Sequence, residues 1–90
     1  MTQPRMRKRR TAAIPVNGAE LRRLRKVRGM EIGELAERVG LRRQSLNRLE
    51  VGEPPGTPKR ASVRVYTALM RELGLHDFNA LHADDTAQVA

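Results

Sequence analysis

Apolar residues along this chain recur at helical spacing rather than at the two-residue alternation of strands. Leu21, Leu24 and Val27 follow one another at three-residue intervals with Arg22, Arg23 and Lys26 between them. This pattern predicts a first helix with one apolar stripe and one basic face. Asn17 is placed to cap its start and Gly29 to end it. A second helix is expected from Glu31 to Val39, with Ile32, Leu35, Ala36 and Val39 on a common face, Glu34, Glu37 and Arg38 turned out, and Gly40 as its stop. Leu41 and Arg42 then lead into a third helix from about Arg43 to Val51, with Leu46 and Leu49 inward and Gly52 closing it. Two short helices joined by so short a glycine-containing link cannot lie antiparallel and must cross steeply. Ala36 is expected to be small because helix axes pack at roughly 8–10 Å and a larger side chain at the crossing would separate them.

Beyond Gly52 the pattern changes. The segment EPPGTPKRA, Glu53 to Ala61, holds three prolines and one glycine and predicts an extended, non-helical path. Ser62 is placed to cap a fourth helix through Leu73, with Val63, Tyr66, Leu69, Met70 and Leu73 as its core stripe and Gly74 as its stop. Asp77 is suited to cap a short final helix carrying Phe78 and Leu81, which either finishes the core or offers a self-association surface.

Composition narrows the class. Ninety residues, 31% charged and 39% apolar, suffice for one small core. The net charge of +8 favours a polyanionic partner. Residues 1–60 carry a net +10 and residues 61–90 a net −2, so the partner-facing part lies toward the N-terminus. Three segments are expected: a disordered basic arm over 1–16, a helical domain over 17–82 and a flexible polar tail over 83–90. The arm contains Arg5, Arg7, Lys8, Arg9 and Arg10, no acid and two prolines. These cations suit phosphate neutralisation or minor-groove insertion, the alternative being a solvated tail. With no cysteine there is no disulfide framework, zinc ribbon or thiol nucleophile, and a reducing cytoplasm fits. The apolar runs fall far below the roughly 20 residues of a membrane span, and the basic N-terminal stretch lacks the apolar block of a secretory signal.

The run LAERVGLRRQSLNRLEVG, Leu35 to Gly52, resembles the helix-turn-helix core of the phage repressor and Cro-like family, also called the xenobiotic-response-element family. The resemblance extends back through LRKVRGMEIGE, Leu24 to Glu34, and forward to ALMRELGL, covering roughly residues 18–76. It implies an all-α, compact five-helix lambda-repressor-like DNA-binding domain whose second and third helices form the helix-turn-helix. It also implies an ion pair between Arg25 and Glu50, base contacts near the start of the third helix and one turn later, and a homodimer. A twofold pair would set two reading helices about 34 Å apart on an inverted repeat.

The outward face of the third helix reads Arg42, Arg43, Gln44, Asn47, Arg48 and Val51. Arginine matches the paired acceptors of guanine, and Gln or Asn the donor and acceptor of adenine, so this face suits base edges in the major groove of duplex DNA. Its arginines lean toward a half-site containing G·C. Ser45, Lys59, Arg60 and Arg64 are the candidate backbone contacts, joined by the N–H groups at the starts of the second and third helices. Two departures from the family bear on this. Glu31 and Ile32 stand where the family usually has a Ser or Thr cap followed by a phosphate-binding Gln. The loop after Gly52 is longer and richer in proline than usual, and its Lys59 and Arg60 are placed to replace the missing clamp.

Catalysis finds no support in these residues: His76 and His82 are misaligned for one helix face and lack a third metal ligand, and no phosphate-cradling loop or nucleophile elbow occurs. No metal, cofactor or small-molecule ligand is expected. The reading is a sequence-specific double-stranded DNA-binding transcriptional regulator, a small phage, prophage or plasmid repressor. The alternatives are an antitoxin that binds a toxin partner and represses its own operon, or a DNA-bending excision or recombination accessory. An RNA-binding module is disfavoured because one Phe and one Tyr make no stacking platform. Removing residues 1–12 is expected to flatten the salt dependence of DNA binding by about 0.9 in log–log slope for each phosphate that the arm neutralises. Titration of the full and shortened chains across a salt series checks this; an unchanged slope would remove the arm from the interface.

Overall fold

A computed structural model describes residues 13–83. Strand β1 (Ala13–Pro15) is followed by helices α1 (Gly18–Val27), α2 (Ile32–Val39) and α3 (Arg43–Val51), strand β2 (Arg60–Ser62), helix α4 (Val63–Leu73) and a 3₁₀ turn, Phe78–Leu81. The five-helix, all-α expectation is therefore corrected to four α-helices, one 3₁₀ turn and a two-stranded sheet. The final element stays a single turn because its four residues are followed at once by His82, which bridges to Val16. Asp77 still caps it, its carboxylate accepting from the Asn79 N–H at 2.9 Å.

The sheet explains a second correction. β1 pairs antiparallel with β2, Ala13 opposite Ser62, Ile14 opposite Ala61 and Pro15 opposite Arg60. The segment 13–16, expected to close a disordered arm, is part of the folded body. Its aliphatic Ile14 and Val16 have a core to enter, and Val16 is fully buried. The backbone finds partners on both sides: the Val16 N–H donates to the Lys59 carbonyl at 3.0 Å, and the Pro15 carbonyl accepts from the Ala83 N–H at 2.9 Å. Proline is tolerated in β1 because Pro15, which has no N–H to give, serves here as an acceptor. Arg5, Arg7, Lys8, Arg9 and Arg10, and the tail over 84–90, lie outside the described residues.

Helix boundaries follow local chemistry. Asn17 accepts from the Glu20 N–H at 3.1 Å and Ser62 from the Val65 N–H at 3.2 Å, satisfying donors that the helix itself cannot. α2 ends at Gly40, whose φ of 78° is left-handed, and the Leu41 N–H folds back on the Ala36 carbonyl at 2.8 Å. A side chain at that φ would cost about 1–2 kcal/mol, so glycine permits the sharp reversal between α2 and α3.

One core joins all of these elements. Val16, Leu21, Leu35, Leu46, Tyr66, Leu69, Leu73 and Leu81 are fully buried, each such large side chain contributing roughly 1.5–3 kcal/mol of transfer free energy. Tyr66 packs on Phe78 with ring centroids 4.7 Å apart and donates its hydroxyl to the Phe78 carbonyl. Two positions depart from the predicted stripes. Val27 is 67% exposed, because three-residue steps drift around a 3.6-residue helix; Arg25, four residues after Leu21, takes the inward place instead. Val63 is exposed while Val65 is buried, because α3 and β2 lie against that flank and Val65 shares a groove with Leu41, Leu49 and Ala61. No helix among the described residues is long and apolar enough to cross a membrane.

α1 begins hard against the end of α3. A Cβ on Gly18 would lie 2.2 Å from the Glu50 carbonyl oxygen and 2.5 Å from that of Leu49, both backbone atoms. Gly18→Ala is expected to cost about 2–3 kcal/mol through forced separation of the two helices. Gly33→Ala, with nothing within 4 Å of its Cβ, is expected to gain about 0.5–1 kcal/mol. Urea unfolding of the two variants beside the parent checks both signs.

Candidate nucleic-acid interface

α3 is held on its inner side by two leucines and one ion pair. Leu46 and Leu49 enter the core, and the next residue, Glu50, is buried with them. Arg25 Nε donates to Glu50 Oε2 at 2.7 Å, Nη2 to Oε1 at 3.2 Å, and Nη1 to the Met30 carbonyl at 2.8 Å. One guanidinium thus ties α1 to the end of α3 and to the turn before α2. The hydrogen bonds that Arg25 donates to the Glu50 carboxylate hold it further toward its charged form than usual, against the opposing effect of burial.

With that side committed, the opposite side of α3 faces outward. Arg42, Arg43, Gln44, Asn47 and Arg48 are all exposed. Four of them, Arg43, Gln44, Asn47 and Arg48, line one concavity of about 440 Å³ together with Ile32 from the start of α2. Arg42 stands apart as the extended N-cap residue of α3, with φ −77° and ψ 152°. Among the described residues no acid pairs with Arg42, Arg43 or Arg48, so their donors remain for a ligand. Arginine, glutamine and asparagine side by side supply the donor and acceptor pairs that base edges present in a major groove.

The helix starts beside this face differ from the rest. α1 and α4 are capped by side chains, whereas Glu31 at α2 and Arg42 at α3 make no side-chain cap hydrogen bond. At α3, whose first turn holds no acid, uncapped N–H groups at the positive end of the helix dipole are suited to phosphate, whereas at α2 the carboxylates of Glu31 and Glu34 oppose it.

The candidate backbone contacts separate into engaged and unengaged groups. Ser45 is half-buried and turns away from the reading side, into a groove of about 180 Å³ shared with Leu41, Leu49, Lys59, Arg60, Ala61, Ser62 and Val65. Lys59 pairs with Glu53 at 3.2 Å. Arg60 donates from Nη1 to the Ala13 carbonyl at 3.1 Å, clasping β1 to β2. Arg64, in the first turn of α4, is exposed and makes no ion pair among the described residues. The structure thus gives Lys59 and Arg60 internal partners and leaves Arg64 open to solvent.

In the sequence Ile32 was legible as a member of the α2 core face and as the residue standing where the resembled family has a phosphate-binding Gln; the structure shows it half-buried at the lip of the α3 concavity. Its place at the first position of α2, where the inward stripe meets solvent, is the signal that pointed to a second role.

Two short helices in contact, α2 and α3, joined through the left-handed Gly40 and carrying a polar outer face and a buried inner face, are the features of a DNA-binding helix-turn-helix domain. The sequence profile of the helix-turn-helix domain matches residues 18–81, and the chain belongs to that family. No curated protein matches the chain.

Glu50→Ala leaves a buried guanidinium without its counter-charge, and a loss of about 3–5 kcal/mol in unfolding free energy is expected. Replacing both partners with apolar residues, Arg25→Met with Glu50→Leu, is expected to recover most of that loss. Chemical denaturation of the single and double variants checks the coupling; equal stability of the single variant and the parent would show the pair to be dispensable.

Proposed function

We propose that this chain is a sequence-specific transcriptional regulator of the phage repressor and Cro-like kind, which lays α3 in the major groove of duplex DNA and represses by obstructing a promoter. The observation that carries this reading is the gathering of Arg43, Gln44, Asn47 and Arg48 around one concavity, between two helix starts that lack side-chain caps. The four side chains supply base-edge recognition, and the start of α3 and Arg64 supply phosphate contacts. The reading is non-catalytic and needs no cofactor.

The protein acts as a homodimer in this proposal. One domain with four base-reading side chains makes few specific contacts, and doubling them on an inverted repeat raises both affinity and discrimination. The 46% exposure of Phe78, an aromatic at the edge of the core, favours a protein contact on that side, whereas Leu81 is fully buried and serves the core.

Selection of bound duplexes from a random pool is expected to return a palindromic consensus rich in G·C steps. On that consensus Arg43→Ala or Arg48→Ala is expected to cost about 1–3 kcal/mol and to relax preference at one position per half-site, while an equal loss on every sequence would mark the residue as a phosphate contact. Failure of selection to enrich any sequence would overturn the reading.

A further inference from the structure

We infer that Ile32 is a specificity residue of the reading face, one that recognises the 5-methyl group of a thymine beside the contacts of α3; this rests on the major-groove reading above. The concavity that Ile32 enters is otherwise lined by Arg43, Gln44, Asn47 and Arg48, all of which act through hydrogen bonds. Ile32 contributes none. It is half-buried: one side packs against the hydrophobic core, and the rest opens into the concavity.

A base pair presents donors, acceptors and a single apolar group in the major groove, and that group is the thymine methyl. The one apolar wall of the concavity therefore complements the one apolar feature of its ligand. Water left between an isoleucine and a polar base edge would gain nothing, whereas a methyl group seated there displaces it favourably. The exposed aliphatic residue of α3, Val51, lies at the far end of the helix and lines a separate cavity with Gly18, Gly52 and Pro58. No other apolar side chain among the described residues lines the reading concavity, so the methyl contact falls to Ile32.

The position of Ile32 also makes it a rigid reader. It is the first residue of α2, and its inner side is fixed by the core. β-Branching leaves its first side-chain torsion few alternatives, so little entropy is lost when a methyl group packs on it.

The test uses the full chain and duplexes taken from its own selected consensus, with each thymine replaced in turn by deoxyuridine, which lacks only the methyl group. The wild-type protein is expected to bind about three- to fourfold more weakly when the recognised thymine is replaced in one half-site, the size of one buried methyl, and about fifteenfold more weakly when it is replaced in both. Ile32→Ala is expected to bind thymine and deoxyuridine duplexes equally while keeping its preference for the remaining consensus positions. Ile32→Val, which keeps the packing and a shortened apolar contact, is expected to retain part of the discrimination and guards against a folding defect in the alanine variant. Indifference of the wild-type protein to every deoxyuridine replacement, or discrimination that survives in Ile32→Ala, overturns the assignment and leaves Ile32 as a packing residue. Both results are distinct from a random pool that enriches nothing, which overturns the regulator reading and this inference together.

Discussion

The buried contact between Arg25 and Glu50 is the constraint on which the presentation of α3 depends. A helix of nine residues has little stability of its own, and its orientation must come from what holds its inner side. Leu46 and Leu49 supply adhesion, but apolar contacts alone permit sliding along the helix axis. The guanidinium adds direction. Its planar fork engages both oxygens of the Glu50 carboxylate, and its remaining edge takes the Met30 carbonyl. The close approach of Gly18 to the Glu50 carbonyl fixes the same end of α3 from a second side. Ionic burial of this kind adds little net stability over a well-packed apolar pair. Its contribution here is geometric: three elements meet at one pair of charges, and the polar flank of α3 is aimed away from them.

What the sequence disclosed was what is decided locally. Glycine stops, the Asn17 and Ser62 caps and the run from Arg43 to Val51 are short-range signals, and the helices begin and end where those residues place them. The outer face of α3 was legible for the same reason, since its polar residues alternate with two buried leucines on a fixed helical period. The sheet was not legible. β1 and β2 are three residues each, too short to show alternation, and they pair across the first three helices, Ala13 opposite Ser62 and Pro15 opposite Arg60. Nothing near Ala13 announces such a partner.

The inner stripes were read too simply at their ends. Val27 continues a three-residue rhythm, yet a charged residue occupies the true inward position because Glu50 waits there to neutralise it. Hydropathy alone ranks Arg25 among the solvated residues. Val65 is buried by neighbours belonging to other elements, a non-local effect that no single-helix pattern records. Ile32 is the subtlest case, because the same side chain serves the core with one side and the reading concavity with the other.

Part of the charge excess lies on the outer face of α3. Glu20 is taken by Arg23, Glu34 and Glu72 by Arg38, Glu50 by Arg25 and Glu53 by Lys59. The solvent-exposed pairs contribute little stability, typically under about 1 kcal/mol each. Their effect on the field is larger than their effect on folding, because each one cancels a cation away from α3. Arg42, Arg43 and Arg48 keep no acid partner among the described residues; nor do Arg64 at the start of α4 or Arg22, Lys26, Arg28 and Arg71 elsewhere. Uncancelled charge steers a ligand over roughly a Debye length, about 8–10 Å in physiological salt, beyond which screening prevails. Orientation must therefore be decided close to contact, and in the proposed mode of binding the basic flank of α3 is both the surface that meets the duplex and a source of the local field that draws a phosphate backbone toward it.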